Sequence, residues 1–499
     1  MSGDGEHKKL ASSALFLIVG QFIVYAGNII VSILLVRILS KSEYGTFMQV
    51  NLLCSTIVSL VVFGLPASLF YFIPKLQSEQ VKRFILQNLV VLLLLGVISA
   101  GLVYVASDRV AGLMNNQVLA DLSIYIAILL VLGILSEPIE PVLITLEKAS
   151  WMAGLNVMFV FGSLLLFPYM ILSGYGLEGL FLAMAGLQGF KLLAAYGNAL
   201  NRTGSVRSLF RLDEFKEQFH YVAPIGVSRI LSNLNVRIDQ FIVSYLYAPS
   251  TYAVYARGAF QLPFIPMVSY NVSNVLLPTL VRLRNDNELE KMLALWHESI
   301  KKTLLILLPM GVFFFVFAKE VMTVLFTKEY LESAYVFMVY LCTVPFEATL
   351  YANIHQAFGR TRHILISNVI NLSSTLALNF LLYQPFGILG PALATVLARL
   401  IMISYHFAVF RGYFGVSFRR VFPFTFQVRA LALSALVGLA VFPFKYLAIP
   451  ELLMLAMAGI AYAVLYVAVL WAFKLLTLEE KNQVMRWMML KDLRQKGAC

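Results

Sequence analysis

Long apolar runs separated by short polar connections fill almost the whole chain. Leu10 to Val36 carries no charged residue in 27 positions, and about 20 apolar residues are enough for a helix to span a bilayer. Runs of this kind recur at about 10–36, 46–73, 84–106, 119–146, 151–173, 177–200, 218–246, 251–281, 303–326, 332–357, 363–383, 387–410, 424–446 and 451–474. They are continuous rather than amphipathic, so they read as membrane spans and not as helices covering a soluble core. The pattern predicts an all-α integral membrane protein with fourteen transmembrane helices. The first run is too long for a secretory signal, and no small-residue cleavage site follows it.

Composition agrees with this reading. Charged residues make up 13% of the 499 positions, where soluble domains carry about 25%. The net charge of +12 would suit nucleic acid, but the cations lie where membrane orientation puts them. Of 38 Lys and Arg, counting those towards span ends with the adjoining connection, 26 belong to alternate connections and the two ends, six to the other connections and six lie well inside spans. That alternation predicts an even number of spans with both termini cytoplasmic. The connections on the far side stay under about 15 residues, too short for the extramembrane domain of a glycosyltransferase, ligase or polymerase. There is no GxxxxGK[ST] loop to cradle a nucleotide. The three cysteines (Cys54, Cys342, Cys499) are isolated and predict neither disulfides nor a metal site. The reading is a non-enzyme without cofactor, driven by a gradient or by mass action.

The chain also resembles itself at a shift of about 210 residues. Ser42-Glu43-Tyr44-Gly45-Thr46-Phe47 lines up with Ser250-Thr251-Tyr252-Ala253-Val254-Tyr255. The stretch from Glu147 to Asn156 lines up with Gly359 to Asn368, and Gly176-Leu177-Glu178-Gly179 with Gly387-Ile388-Leu389-Gly390. Six spans per repeat predict two parallel six-helix bundles around a central cavity, with two extra C-terminal helices. The expected division is a lobe at 1–200, a cytoplasmic linker at 201–217, a second lobe at 218–411, two extra helices at 412–476 and a tail at 477–499. The tail opens on a Thr477/Glu480 capping box and reads as an amphipathic helix on the lipid surface.

Polar groups inside hydrocarbon are costly and therefore face a cavity or a partner. In the first span Gln21, Tyr25, Asn28 and Ser32 share one face. They line something wet or bond to neighbouring helices. The seventh span is the most polar, and Arg229, Asn233 and Arg237 recur every four residues on one face. At 1.5 Å per residue Arg229 lies about 17 Å deep, and Lys191 and Arg399 fall at comparable depth in the sixth and twelfth spans. Arg237, Asp239 and Arg257 share a level nearer the outside, where Asp239 can pair with either arginine. Arg229 and Arg399 are read as cavity residues for an anionic headgroup, because guanidinium is planar, always charged and binds phosphate through two parallel bonds. Lys191, Asn233, Arg237, Arg257, Gln21, Tyr25 and Asn28 complete the cavity set. Glu137, Glu140 and Glu347, with Asp239, are candidates for a coupling cation or proton. Neutralising Lys191 and the arginines is the alternative for these glutamates. His355 and His406 read as hydrogen-bonded packing residues.

Arg37-Ile38-Leu39-Ser40-Lys41-Ser42-Glu43-Tyr44-Gly45 resembles the motif that follows the first span in polysaccharide-type lipid-linked oligosaccharide flippases. These belong to the multidrug/oligosaccharidyl-lipid/polysaccharide exporter superfamily. Gly64-Leu65-Pro66 with Phe72 and Pro74 is similar too, as are Arg237-Ile238-Asp239, Tyr252, Tyr255 and Leu277-Pro278. The resemblance implies alternating access in a bacterial cytoplasmic membrane. It also implies a polyprenyl-diphosphate-linked oligosaccharide as cargo, with membrane lipids and polysaccharide-assembly proteins as partners. A peptidoglycan-precursor flippase and a cation-coupled drug antiporter of the same superfamily are the alternatives.

Overall fold

The computed structural model describes residues 23–201, 210–260, 262 and 264–473. Gln21, residues 202–209 of the linker and the tail with its Thr477/Glu480 box lie outside these residues. Among the described residues the chain is helical and has no strand. Eleven helices are long and apolar enough to cross a membrane, so this is a multi-pass membrane protein. Two of the helices outside that set bear on the number of spans. Ile23–Ile38 is shorter, and Leu212–Leu246, 35 residues long, is polar.

The helices are interrupted where the sequence supplies the means. Lys41–Val62 ends at Phe63 and Gly64, both left-handed, and the chain restarts as Leu65–Phe72 with Pro66 in its first turn. The fourth run breaks at Glu137-Pro138 between Ser123–Ser136 and Ile139–Thr145. The tenth run falls into Ser333–Leu341, Val344–Glu347 and Tyr351–Ala357. Ala149–Met170 and Gly176–Leu200 form a helical hairpin, and the turn between them uses Gly174 at φ 87° and Gly176 at φ 57°. Backbone there is left-handed, which glycine adopts without a Cβ penalty.

Packing divides the chain into two compact units. The first comprises Met1–Pro263, Leu325–Val336 and Arg362–Met402, and the second Phe264–Val324, Phe337–Thr361 and Ile403–Cys499. This division by packing differs from the division by internal repeat.

In the first unit Ser40, Glu43, Tyr44 and Gly45 of the Ser40–Gly45 motif have a structural account. Ser40 caps the Lys41–Val62 helix by accepting from the Glu43 backbone N–H at 3.3 Å, and Glu43 Oε2 accepts from the Ser40 backbone N–H at 2.9 Å. This is a reciprocal capping box. Tyr44 is fully buried, and Gly45 lies against the backbone of Pro249. Deeper in, Gln49 is also fully buried. It donates to the Met114 carbonyl and Ser244 Oγ, both at 2.8 Å, and accepts from Asn116 Nδ2 at 2.6 Å. Gln49→Leu strands those groups away from water, at about 1–3 kcal/mol for each one left unsatisfied. The purified variant is therefore expected to melt several degrees lower, and a wild-type melting temperature would remove the network from the stability of the unit.

The second unit has an aromatic core. Trp296 is fully buried, donates to the Thr349 carbonyl at 3.1 Å and meets Phe410 edge-on at 5.3 Å. Tyr462, on the Glu451–Ala472 helix, donates to the Ser434 carbonyl at 3.0 Å and packs on Phe313. The bond joins the last two helices, Phe424–Val441 and Glu451–Ala472, and the ring contact ties the latter to Leu289–Val316.

Candidate functional site

The first unit encloses a cavity of about 630 Å³. One wall is the Leu212–Leu246 helix, whose four-residue spacing turns Arg229, Asn233 and Arg237 into the same space. Opposite stand Lys191 and Gln188 from Gly176–Leu200, and Glu137 and Glu140 from the break after Ser123–Ser136. The break matters here. Pro138 interrupts the run just where the two carboxylates reach the cavity, and irregular backbone at membrane depth is tolerated where it lines a cavity. Three cations thus face two carboxylates. Glu137 interacts electrostatically with Arg229, Glu140 and Lys191, and Lys191 with both glutamates.

Neutral polar and apolar groups share the rest of the lining. Asn51, Ser55 and Ser59 come from the Lys41–Val62 helix and Asn156 from Ala149–Met170. Asn233 donates to Ser59 Oγ and Arg237 to Ser55 Oγ, so the seventh helix is bonded to the second through the cavity wall. On its other side Asn235 donates to the Asn368 carbonyl at 3.0 Å and accepts from Asn371 Nδ2 at 3.0 Å. Lys191 Nζ lies 5.7 Å from the centre of the Phe159 ring. A second recess of about 470 Å³ opens on the same seventh helix, and Arg229 and Asn233 line both spaces. The lining suits an anionic, hydroxyl-rich ligand: guanidinium and ammonium for charge, amides and hydroxyls for hydrogen bonds.

Six of the sequence candidates therefore meet in one place: Lys191, Arg229, Asn233, Arg237, Glu137 and Glu140. The other described candidates lie outside that cavity. Arg257 is buried in the first unit, where it donates to Ser32 Oγ at 2.5 Å and stands over the rings of Tyr44 at 5.1 Å and Phe326 at 5.2 Å. Ser32, from the polar face of the first span, is thus used in helix–helix bonding, while Tyr25 and Asn28 are exposed. Asp239 is buried and accepts from the Tyr255 hydroxyl at 2.7 Å. Arg399, in Leu389–Phe414, and Glu347, closing Val344–Glu347, are half-buried. The sequence reading missed Asn51, Ser55, Ser59, Asn156 and Gln188. A signal existed for three of them, since Asn51, Ser55 and Ser59 recur every four residues.

Residues 34–335 match the family of polysaccharide biosynthesis proteins. The chain belongs to this family. Among curated members of similar sequence, the probable low-salt glycan biosynthesis flippase Agl15 of Haloferax volcanii is 24% identical over 317 residues, 61% of this chain and 64% of that protein. A putative O-antigen transporter of Shigella flexneri is 23% identical over 189 residues, 36% of this chain and 43% of that protein. The chain thus spans less than two thirds of either relative. Among solved structures, the lipid II flippase MurJ in an inward closed conformation superposes with a TM-score of 0.73 at 15% identity, covering 93% of this chain and 100% of MurJ. An inward-facing multidrug resistance MATE transporter of the MOP superfamily superposes with a TM-score of 0.61 at 15% identity, covering 80% and 98%. At that identity the likeness is one of fold alone.

Proposed function

We propose that the chain is a flippase that moves a polyprenyl-diphosphate-linked oligosaccharide across the bacterial cytoplasmic membrane by alternating access, for surface polysaccharide assembly. One observation carries this reading: Arg229, Arg237 and Lys191 converge with amides and hydroxyls in one membrane-embedded cavity. A diphosphate meets the cations and sugar hydroxyls meet the neutral groups. Three cations against two carboxylates suit an anionic cargo better than a cationic drug. The relatives named for glycan flipping and O-antigen transport support the same choice. In this reading the protein works by binding and moving its cargo rather than by catalysing a reaction, and its partners are lipid-linked glycan, membrane lipids and other assembly proteins. Arg399, Arg257, Glu347, Asp239, Tyr25, Asn28 and Gln21 stay second-rank candidates for its sites.

The membrane is crossed fourteen times in this reading. The Ala149–Leu200 hairpin supplies two passes, and Ile23–Ile38 and Leu212–Leu246 supply one each beside the remaining apolar helices. Both termini are cytoplasmic. The two repeats form parallel lobes at 1–200 and 218–411, with the last two helices outside them.

A peptidoglycan-precursor flippase is the second reading, favoured by the superposition on MurJ. Reconstitution separates the two. Proteoliposomes carrying fluorescent undecaprenyl-diphosphate oligosaccharide should show protein-dependent flipping, and those carrying peptidoglycan precursor should not. Gene deletion should trap lipid-linked oligosaccharide in the inner leaflet and deplete surface polysaccharide. Normal polysaccharide together with new drug sensitivity would refute the flippase reading.

A further inference from the structure

The second compact unit holds two histidines for which the cargo cavity has no use. His355, on Tyr351–Ala357, and His406, on Leu389–Phe414, are both 0% exposed. His355 Nε2 lies 2.8 Å from His406 Nδ1. The other nitrogen of His355, Nδ1, lies 3.5 Å from the Tyr413 hydroxyl, and Tyr413 is 9% exposed. Hydrogen bonds therefore run from near the surface through one buried imidazole to the next.

This geometry fixes the proton count. In the neutral pair His355 Nε2–H donates to His406 Nδ1, the Tyr413 hydroxyl donates to His355 Nδ1, and His406 keeps its proton on Nε2. One more proton fits. It enters at His355 Nδ1, Tyr413 turns from donor to acceptor, and both bonds survive around an imidazolium. A further proton would have to sit on His406 Nδ1, set two N–H groups against each other and break the bridge. The pair thus accepts one proton and resists a second, as coupled sites do.

The surroundings tolerate that one charge. Tyr351 stacks on His406 at 4.1 Å and Phe410 lies 4.9 Å from His355, and ring faces attract a cation. The titratable and charged groups around the pair come from each element packed there. Tyr351 shares the His355 helix, and Tyr405 and Tyr413 share the His406 helix. Arg360 stands over Tyr413 at 5.0 Å. Arg284, from Phe264–Asn285, stands over Phe358, which stacks on Tyr413 at 4.4 Å. From Leu289–Val316, Trp296 meets Phe410, and its neighbour His297 is bonded at 2.8 Å to the Val421 carbonyl.

We propose that His355 and His406 form a proton-binding site, loaded through Tyr413 from the membrane face where Arg360 and Arg411 lie, and that its proton couples transport to the pH gradient. Two further observations give the proton a use. The chain carries no nucleotide-binding loop, which leaves a gradient or mass action as its drive. His355 also stands on a seven-residue helix that follows two breaks in its span, and the bridge is one of the bonds holding it, beside that of Asn353 Nδ2 to the Ser273 carbonyl at 2.7 Å.

The binding arm of the test is a titration of full-length protein, labelled with ¹⁵N-histidine, in nanodiscs between pH 5 and 8. The pair should take up one proton as a coupled unit, and His355→Gln or His406→Gln should abolish that uptake. A pair that stays neutral down to pH 5 overturns the site. Tyr413→Phe keeps the bridge and should slow proton entry after a pH jump; unchanged entry would overturn the route. The coupling arm rests on the flippase reading. Wild-type flipping in proteoliposomes should change about threefold or more between pH 6 and 8, and the glutamine variants should flatten that profile while keeping their melting temperature. A flat wild-type profile overturns coupling and leaves the flippase reading intact. No flipping at any pH overturns the flippase reading, while the titration still judges the proton site.

Discussion

Arg229→Ala is expected to abolish export of lipid-linked oligosaccharide while the protein reaches wild-type abundance. Arg229 is exposed within the first unit and lines both recesses on the seventh helix, so its side chain is available to a ligand rather than committed to packing. A charge-assisted bond to phosphate is worth about 1.5–3 kcal/mol, or roughly ten- to a hundredfold in affinity. The loss is larger in export, because Glu137 and Glu140 then face Lys191 and Arg237 with one cation fewer. Arg229→Lys keeps the charge, loses the planar fork and should fall between. Arg399→Ala should cost less than Arg229→Ala, since Arg399 lines neither recess. Flipping rates in proteoliposomes, normalised to protein, decide the matter. Wild-type rates in Arg229→Ala would remove the residue from the cargo site.

Gly45→Ala should cost the fold itself. A Cβ at position 45 would sit 1.9 Å from the Pro249 carbonyl oxygen and 2.4 Å from its carbon. Both are backbone atoms, so no side chain can swing aside, and the helices Lys41–Val62 and Pro249–Gly258 would have to separate. Overpacking of this kind costs about 3 kcal/mol or more. The expected readout is loss of folded protein from the membrane fraction and early aggregation on heating. Gly101→Ala is the control, because a Cβ there would meet nothing within 4 Å and alanine favours the helix by up to about 1 kcal/mol. Equal abundance of the two variants would overturn the close-approach account of the motif.

The sequence made the seventh helix legible because its signal is local. Arg229, Asn233 and Arg237 lie one helical turn apart, and charge in a span is rare enough to stand out. Depth counting added Lys191, Glu137 and Glu140. The rest depended on partners far along the chain. Ser32 and Arg257 are 225 residues apart, and nothing in either segment names the other. The same holds for His355 and His406, which read from the sequence as hydrogen-bonded packing residues. Asn51, Ser55 and Ser59 were hidden for another reason, since small polar residues serve helix–helix bonding as readily as cavities. Of the architecture, the apolar helices were plain from run length, whereas breaks such as Phe63-Gly64 depend on backbone angles that composition only hints at.

Cys54 gains a meaning from its place on the wall of the 630 Å³ cavity. Among the described residues one other cysteine occurs, Cys342, in the second compact unit. Nature has therefore left a spectroscopic handle inside the chamber. With Cys342 and Cys499 changed to serine, a fluorine tag on the Cys54 sulfur would report occupancy directly, its resonance shifting as cargo displaces water and shifting back as the chamber empties.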